Sequence, residues 1–211
     1  EPGHIFEMLN RGKRSIAINL KEAGAIEKLA PLIRESDILV EQFRPGVMER
    51  LGLGYQSLKV INPGLIYCSI TGYGQKDENS GKAGHDINYQ AQSGLLGLSA
   101  GRDGRPVMPS ALVADIAGGS WPAVMNILLA LYARQSTGEG CYLDISMTRG
   151  LDPFLFWAKA IVEKRDAPPT AGRELFTGGS PRYQIYQTRD GQSLAVGALE
   201  DRFWKASCDA I

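Results

Sequence analysis

Helical stripes alternate with short apolar blocks along most of this chain, and that alternation restricts the available folds more than any other feature. Between Glu22 and Glu35, the residues Ala25, Ile26, Leu29, Ala30, Leu32 and Ile33 recur at helical spacing, and Asp37-Ile38-Leu39-Val40 follows as a short apolar strand. Pro45 to Leu51 starts another helix with proline in its first turn, Gly52-Leu53-Gly54 stops it, and Leu65 to Ile70 reads as the next strand. Parallel strands need a crossover between them, usually a helix. The expected fold class is therefore α/β, built on a parallel sheet.

Further along, Thr71 to Gly84 is rich in Gly, Asn, Asp, Ser and Lys, so it is expected to be a loop after a strand end, where open α/β sheets hold their ligands. Helices are expected over Ile87–Leu98, Pro122–Arg134 and Arg149–Glu163, the last with Pro153 near its start, a turn at Arg102–Pro106, and a strand over Cys141–Met147. Ser136-Thr137-Gly138-Glu139-Gly140 ends the long helix. Lys164 to Thr177 has the proline, glycine and charge of a linker, and Tyr183–Tyr186 and Ser193–Val196 flank Arg189-Asp190-Gly191 as a hairpin. Two units are expected: residues 1–172 as a large α/β domain, and 173–211 as linker and the beginning of a smaller one.

Composition removes several function classes. Lys and Arg number 23, as do Asp and Glu, so no overall basic field exists to hold nucleic acid or an anionic membrane, and neither is expected as a partner. Cys68, Cys141 and Cys208 are odd in number and lack metal spacing, which argues against a disulfide framework or zinc site and for a cytoplasmic setting. No metal ligand set is expected. The apolar run Ala123 to Ala133 is short for a bilayer span and contains Asn126, so a buried helix is expected there. No secretory signal opens the chain, and both ends, Glu1-Pro2-Gly3 without methionine and Ile211 just after an amphipathic start, read as cuts.

Three carboxylates and one histidine stand out as chemistry. His85 and Asp86 in Ala83-Gly84-His85-Asp86-Ile87-Asn88-Tyr89 can move protons, or His85 can cap a helix while Asp86 satisfies backbone donors. Asp115, just before Ala117-Gly118-Gly119, is either a base or nucleophile beside small residues that admit a ligand, or an N-cap for a helix beginning near Ser120. Glu200 closes the apolar run Leu194–Leu199 and is either a buried carboxylate needing a partner such as His85 or the cap of the next helix. Arg11, Lys13, Arg14, Arg44 and Arg50 could hold phosphate oxygens or be solvated surface charge.

Several segments together resemble one family. Asn10-Arg11-Gly12-Lys13-Arg14-Ser15-Ile16, Phe43-Arg44-Pro45-Gly46-Val47-Met48-Glu49-Arg50-Leu51-Gly52-Leu53, Asn62-Pro63-Gly64-Leu65-Ile66-Tyr67 and Thr137-Gly138-Glu139-Gly140 are similar, in order, to signatures of the family III CoA-transferases, which include the α-methylacyl-CoA racemases. The resemblance implies an acyl-CoA thioester substrate, a Rossmann-like large domain with a smaller second domain, and homodimers of two interlocked subunits. It also implies that the family's first strand–helix unit, most of its small domain and its returning C-terminal segment lie outside this sequence, so the fragment itself could be inactive.

Gly84-His85-Asp86-Ile87-Asn88-Tyr89 resembles the racemase branch. That resemblance puts the catalytic histidine on His85, the opposing aspartate on Asp115 and the supporting glutamate on Glu200, with a backbone N–H near Asp86 bonding the thioester oxygen. It implies CoA contacts from Ile18, Asn19, Leu20 and Lys21 near the adenosine end, from Gln42, Phe43, Arg44 and Arg50, and from Gly84, Asn88 and Tyr89 around the pantetheine. No cofactor beyond the CoA moiety of the substrate is implied. One departure favours the transferases: the chain has Ala114-Asp115-Ile116-Ala117-Gly118 where the racemases carry Gly-Asp-Phe-Gly-Gly. In transferases the matching aspartate attacks the acyl-CoA and forms a mixed anhydride.

Overall fold

A computed structural model describes residues 3–101 and 103–210. In chain order it contains α1 (His4–Asn10), α2 (Ala25–Glu35), β1 (Ile38–Glu41), α3 (Val47–Arg50), α4 (Tyr55–Ile61), β2 (Ile66–Thr71), α5 (Asp86–Ser93) and α6 (Leu95–Leu98). A π-helical segment (Ala114–Ser120) runs straight into α7 (Trp121–Thr137), followed by β3 (Tyr142–Ser146), a 3-10 helix (Arg149–Leu155) and α8 (Phe156–Arg165). A second 3-10 turn (Leu175–Thr177) leads to β4 (Tyr183–Gln187), β5 (Ser193–Gly197) and α9 (Asp201–Asp209).

The expected mixed α/β architecture with a parallel sheet is present. β2 lies between β1 and β3 and is parallel to both. Buried on both faces, it reads as a near-continuous apolar run. Alternate side chains feed two cores. Leu65 and Tyr67 join Ile33, Met48, Leu53 and Leu58 under α2–α4, whereas Cys68 points the other way to Ala123 and Ile145 under α7. Leu58, Leu65, Ile66 and Cys68 have no solvent exposure, and each such aliphatic side chain contributes about 1.5–3 kcal/mol over an exposed one. Burial also pushes the Cys68 thiol up to about 11, which keeps it protonated and unreactive.

Several helices depart from the sequence expectations, each for a local backbone reason. α3 begins only after Gly46, at φ +78°, so Pro45 precedes the helix instead of sitting in its first turn. α4 was not anticipated, because Gly54 serves as its N-cap rather than as a helix stop; α1, exposed along its length, was not anticipated either. Gly94 at φ +91° divides the expected Ile87–Leu98 helix into α5 and α6. Pro153 lacks the N–H an α-turn would use, and the first seven residues of the expected Arg149–Glu163 helix are 3-10. The turn expected at 102–106 begins on Arg102, outside the described residues; beside it, the Gly101 N–H donates to the Arg105 carbonyl at 2.9 Å.

The expected burial of the Ala123–Ala133 helix is corrected by the structure. α7 buries Ala123 against the sheet, but Trp121, Val124, Met125, Leu128, Leu129 and Tyr132 are exposed on its other side. The helical run Ala114–Thr137 is in fact long and apolar enough, by length and composition, to cross a membrane. The run was expected to be short because the π-helical start could not be read from the sequence.

The expected hairpin is present, with β4 and β5 antiparallel from Tyr183↔Gly197 to Gln187↔Ser193. The segment before it is pinned rather than free: the buried Glu174 carboxylate accepts from the Arg165 guanidinium at 2.8 Å. Trp157, Phe176 and Tyr183 then stack edge to face from α8 to β4.

Candidate active site

The carboxyl ends of β1 and β2 release the chain into Gln42–Pro45 and Thr71–His85, and these loops wall a cleft of about 490 Å³. Ligands in open α/β sheets bind at such an edge. His85 is the N-cap residue of α5, and its backbone N–H donates to Asn88 Oδ1 at 3.0 Å. Tyr89 fixes the approach to it. Its hydroxyl donates to the Gly84 carbonyl at 2.6 Å, and its ring meets Tyr73 edge to face at 5.2 Å. A Cβ on Gly84 would lie 2.8 Å from the Tyr89 ring, and one on Gly72 would overlap that ring, so glycine is required at both positions.

Asp86 ties this helix start to a second one. Its buried carboxylate accepts from the Asp115 backbone N–H at 3.0 Å and from Gln90 Nε2 at 2.5 Å. Capping and function thus coincide here: Asp86 does satisfy a backbone donor, and that donor belongs to the candidate catalytic aspartate. Asp115 itself lies in the first turn of the π-helical segment and does not cap a helix at Ser120; Ser120 Oγ instead donates to the Asp115 carbonyl at 3.0 Å. Single π-turns occur often at functional sites.

The glycines after Asp115 let this segment sit directly on the chain leaving β3. A Cβ on Gly118 would overlap the Met147 carbonyl, and one on Gly119 would come 2.8 Å from Met147 Cγ. Gly118→Ala is therefore expected to destabilise the protein by about 1–3 kcal/mol, measured as a lowered urea midpoint with an unchanged slope. Wild-type stability in that variant would show that the segment shifts freely.

The electrostatics distinguish Asp115. Its carboxyl is pushed above the ordinary aspartate range, first by burial, then by the negative charge of Asp86, against a smaller opposing pull from His85. Asp115 is half-buried and does not line the cleft, whereas His85 is exposed and does. The Tyr89 phenol is also pushed up, by burial and then by Tyr73 and Asp115, with Arg44 acting in the opposite direction.

Gln42, Phe43, Arg44, Gly84, Asn88 and Tyr89 all line the cleft, so two expected CoA-contact segments meet there. Leu20 lines a neighbouring, mainly apolar pocket of about 530 Å³ that also takes in Gln42 and Phe43. Ile18 is half-buried; Asn19 and Lys21 are exposed, and Asn19 Oδ1 accepts from the Lys21 N–H at 3.1 Å, shaping this segment as a turn. Arg50 is exposed and leans back over Gly46. Arg11, Lys13 and Arg14 are exposed too, and Lys13 Nζ donates to Asn10 Oδ1 at 3.1 Å.

Glu200 stands apart from this group. It is the exposed N-cap residue of α9, and among the described residues no hydrogen bond or ion pair links its carboxylate to His85. Sequence reasoning missed Gln90, Tyr73 and the cleft residues Ser80 and Lys82. For Gln90 a signal existed: it lies one helical turn after Asp86, the spacing at which side chains meet.

Residues 1–211 match the family described as CoA-transferase family III. The chain is 41% identical over 210 residues to the alpha-methylacyl-CoA racemase of Homo sapiens, across 97% of this chain and 54% of that protein. It is 35% identical over 207 residues to the acetyl-CoA:oxalate CoA-transferase of Acetobacter aceti, across 98% of this chain and 52% of that one. The crystal structure of a CAIB/BAIF family protein from Brucella suis superposes with a TM-score of 0.76 at 28% identity, covering 94% of this chain and 59% of that chain. The chain thus spans about half the length of the curated relatives it matches.

Proposed function

The chain belongs to CoA-transferase family III, and from that premise we propose that it carries the proton-transfer site of a racemase or epimerase of 2-methylacyl-CoA thioesters. One observation carries this reading: Asp86 bridges the helix starts that bear His85 and Asp115, and Asp115 is a carboxyl whose surroundings favour its protonated form. A thioester α-proton is weakly acidic, so inversion needs a base on one face of the carbon and an acid on the other.

In that reaction the His85 imidazole takes the α-proton, and the C–H electron pair becomes the enolate with its charge on the thioester oxygen. A backbone N–H near Asp86 stabilises that charge as it forms. Asp115 then delivers its proton to the opposite face, the electron pair returns to carbon, and the reverse direction exchanges the two roles. No electron is gained or lost overall, so the only cofactor chemistry proposed is that of the CoA thioester. CoA would lie along the cleft, with its pantetheine against Gly84–Tyr89, Gln42–Arg44 beside it, and the adenosine end towards Ile18–Lys21.

A second reading has its own support in Ala114-Asp115-Ile116-Ala117-Gly118 and in the transferase relative. There the ionised Asp115 attacks the acyl carbonyl and expels CoA thiolate, which leaves a mixed anhydride; the thiolate attacks the aspartyl carbonyl and releases the first acid as its carboxylate. A second carboxylate displaces CoA from the aspartyl thioester through a second anhydride, from which CoA takes the new acyl group and frees Asp115. What favours the first reading is His85, which lines the cleft and has no role in anhydride chemistry. The test is uptake of deuterium at the α-carbon of a 2-methylacyl-CoA in heavy water. Exchange with inversion supports the racemase, whereas CoA transfer to a free acid without exchange replaces it with the transferase.

A further inference from the structure

His85 and Asp115 belong to different helix starts, and their separation is set by whatever joins them. Beyond the packing of Tyr89 with Ala114, the hydrogen-bonded link among the described residues is the Asp86 carboxylate: Oδ1 accepts from the Asp115 N–H at 3.0 Å, and Oδ2 accepts from Gln90 Nε2 at 2.5 Å. Asp86 and Gln90 are 5% and 3% exposed, so neither is a surface group awaiting solvent. These two hydrogen bonds hold the Asp86 carboxylate against the backbone of Asp115. An amide at position 86 would fill the same space without a negative charge.

Resting on the reading above, we propose that the Asp86 carboxylate, clamped by Gln90, is a positioning residue that fixes the spacing of His85 and Asp115 and holds the Asp115 proton for delivery. Asp86 acts through Asp115 and need not touch substrate with its side chain. Other charges on the elements packed around Asp115 are engaged elsewhere. Arg149 pairs with Asp77 at 3.4 Å, Asp152 with Lys159 at 3.1 Å, and Arg134 at the far end of α7 with Asp37 at 2.6 Å. Asp144 accepts from the Gln75 N–H at 3.0 Å. Among the described residues, His85, Asp86 and the Tyr89 phenol face it.

The variants Asp86→Asn and Gln90→Leu separate charge from clamp. Asp86→Asn keeps an oxygen for the Asp115 N–H but removes the charge, so the Asp115 carboxyl, followed by carbon-13 NMR of labelled aspartate, should titrate at lower pH than in wild type. In the exchange reaction that needs Asp115 as acid, the alkaline limb should move down with it. Gln90→Leu keeps the charge but frees its direction. There the turnover number should fall by about ten- to a hundredfold, as expected for a small misplacement, with the Michaelis constant for acyl-CoA unchanged and the Asp115 titration near wild type.

An unmoved Asp115 titration in Asp86→Asn, or wild-type turnover in folded Gln90→Leu, overturns the proposal. A merely structural role would instead lower the melting temperature and leave turnover per folded molecule intact. If the wild-type protein exchanges no α-proton, the racemase reading fails, and the titration, which needs no turnover, still decides the role of Asp86.

Discussion

With His85 replaced by alanine, α-proton exchange at the face it serves is expected to drop by about 10²–10⁴-fold, the usual worth of a positioned general base. CoA binding should hold to within about twofold, because the proposed contacts of Gln42, Phe43, Arg44, Gly84, Asn88 and Tyr89 come from backbone and side chains that the substitution leaves alone. His85 is an exposed N-cap whose backbone N–H donates to Asn88 Oδ1. Alanine therefore removes the imidazole without breaking that bond, at a capping cost of about 0.5–2 kcal/mol at most. Exchange measured by NMR in heavy water, beside binding of CoA by calorimetry, checks both halves. Parallel loss of binding and exchange would place His85 among the CoA contacts and not at the α-carbon.

What could be read from the chain depended on the kind of order involved. β2 was legible because a strand buried on both faces is mainly apolar, and α2 was legible because its apolar residues recur along one buried face. The failures sit where glycine conformation decides. Gly54 starts a helix with extended backbone, while Gly46 and Gly94 take left-handed angles, and single letters do not distinguish these roles. The exposed flank of α7 could not be foreseen either. An apolar run reports what a helix can bury, not whether a partner element covers it.

The site divides along the same line. His85, Asp86 and Asn88 are neighbours in sequence, so their grouping was visible, and the Asp86–Asp115 bond, 29 residues long in sequence, joined two motifs already singled out. Gln42–Arg44 meets them because parallel strands deliver their carboxyl ends to one edge. Glu200 follows no such rule. It arrives after a hairpin outside the parallel sheet, and its position at the start of α9 is set by β4 and β5. Serving the imidazole from there would take movement of that unit or a second chain.

Asp115→Asn is the substitution that separates the two chemistries. An amide cannot deliver a proton, so inversion should fall by about 10²–10⁴-fold, yet His85 can still remove and return the α-proton on its own face. Deuterium exchange with retention should therefore survive. A transferase would lose CoA transfer and show no exchange before or after, since the anhydride needs the carboxylate oxygen. Stability moves the opposite way. The folded-state carboxyl titrates above the ordinary 3.8 through burial and then Asp86, so the folded protein binds this proton more tightly than the unfolded chain does. Its contribution is fully present below the unfolded value and is lost as pH rises through the folded one. Asparagine carries no such loss, so near neutral pH the variant should melt above wild type, and the gap should close as pH falls to the unfolded value. A gap that widens on acidification would mean the carboxylate is stabilised in the fold, which would favour Asp115 as a nucleophile.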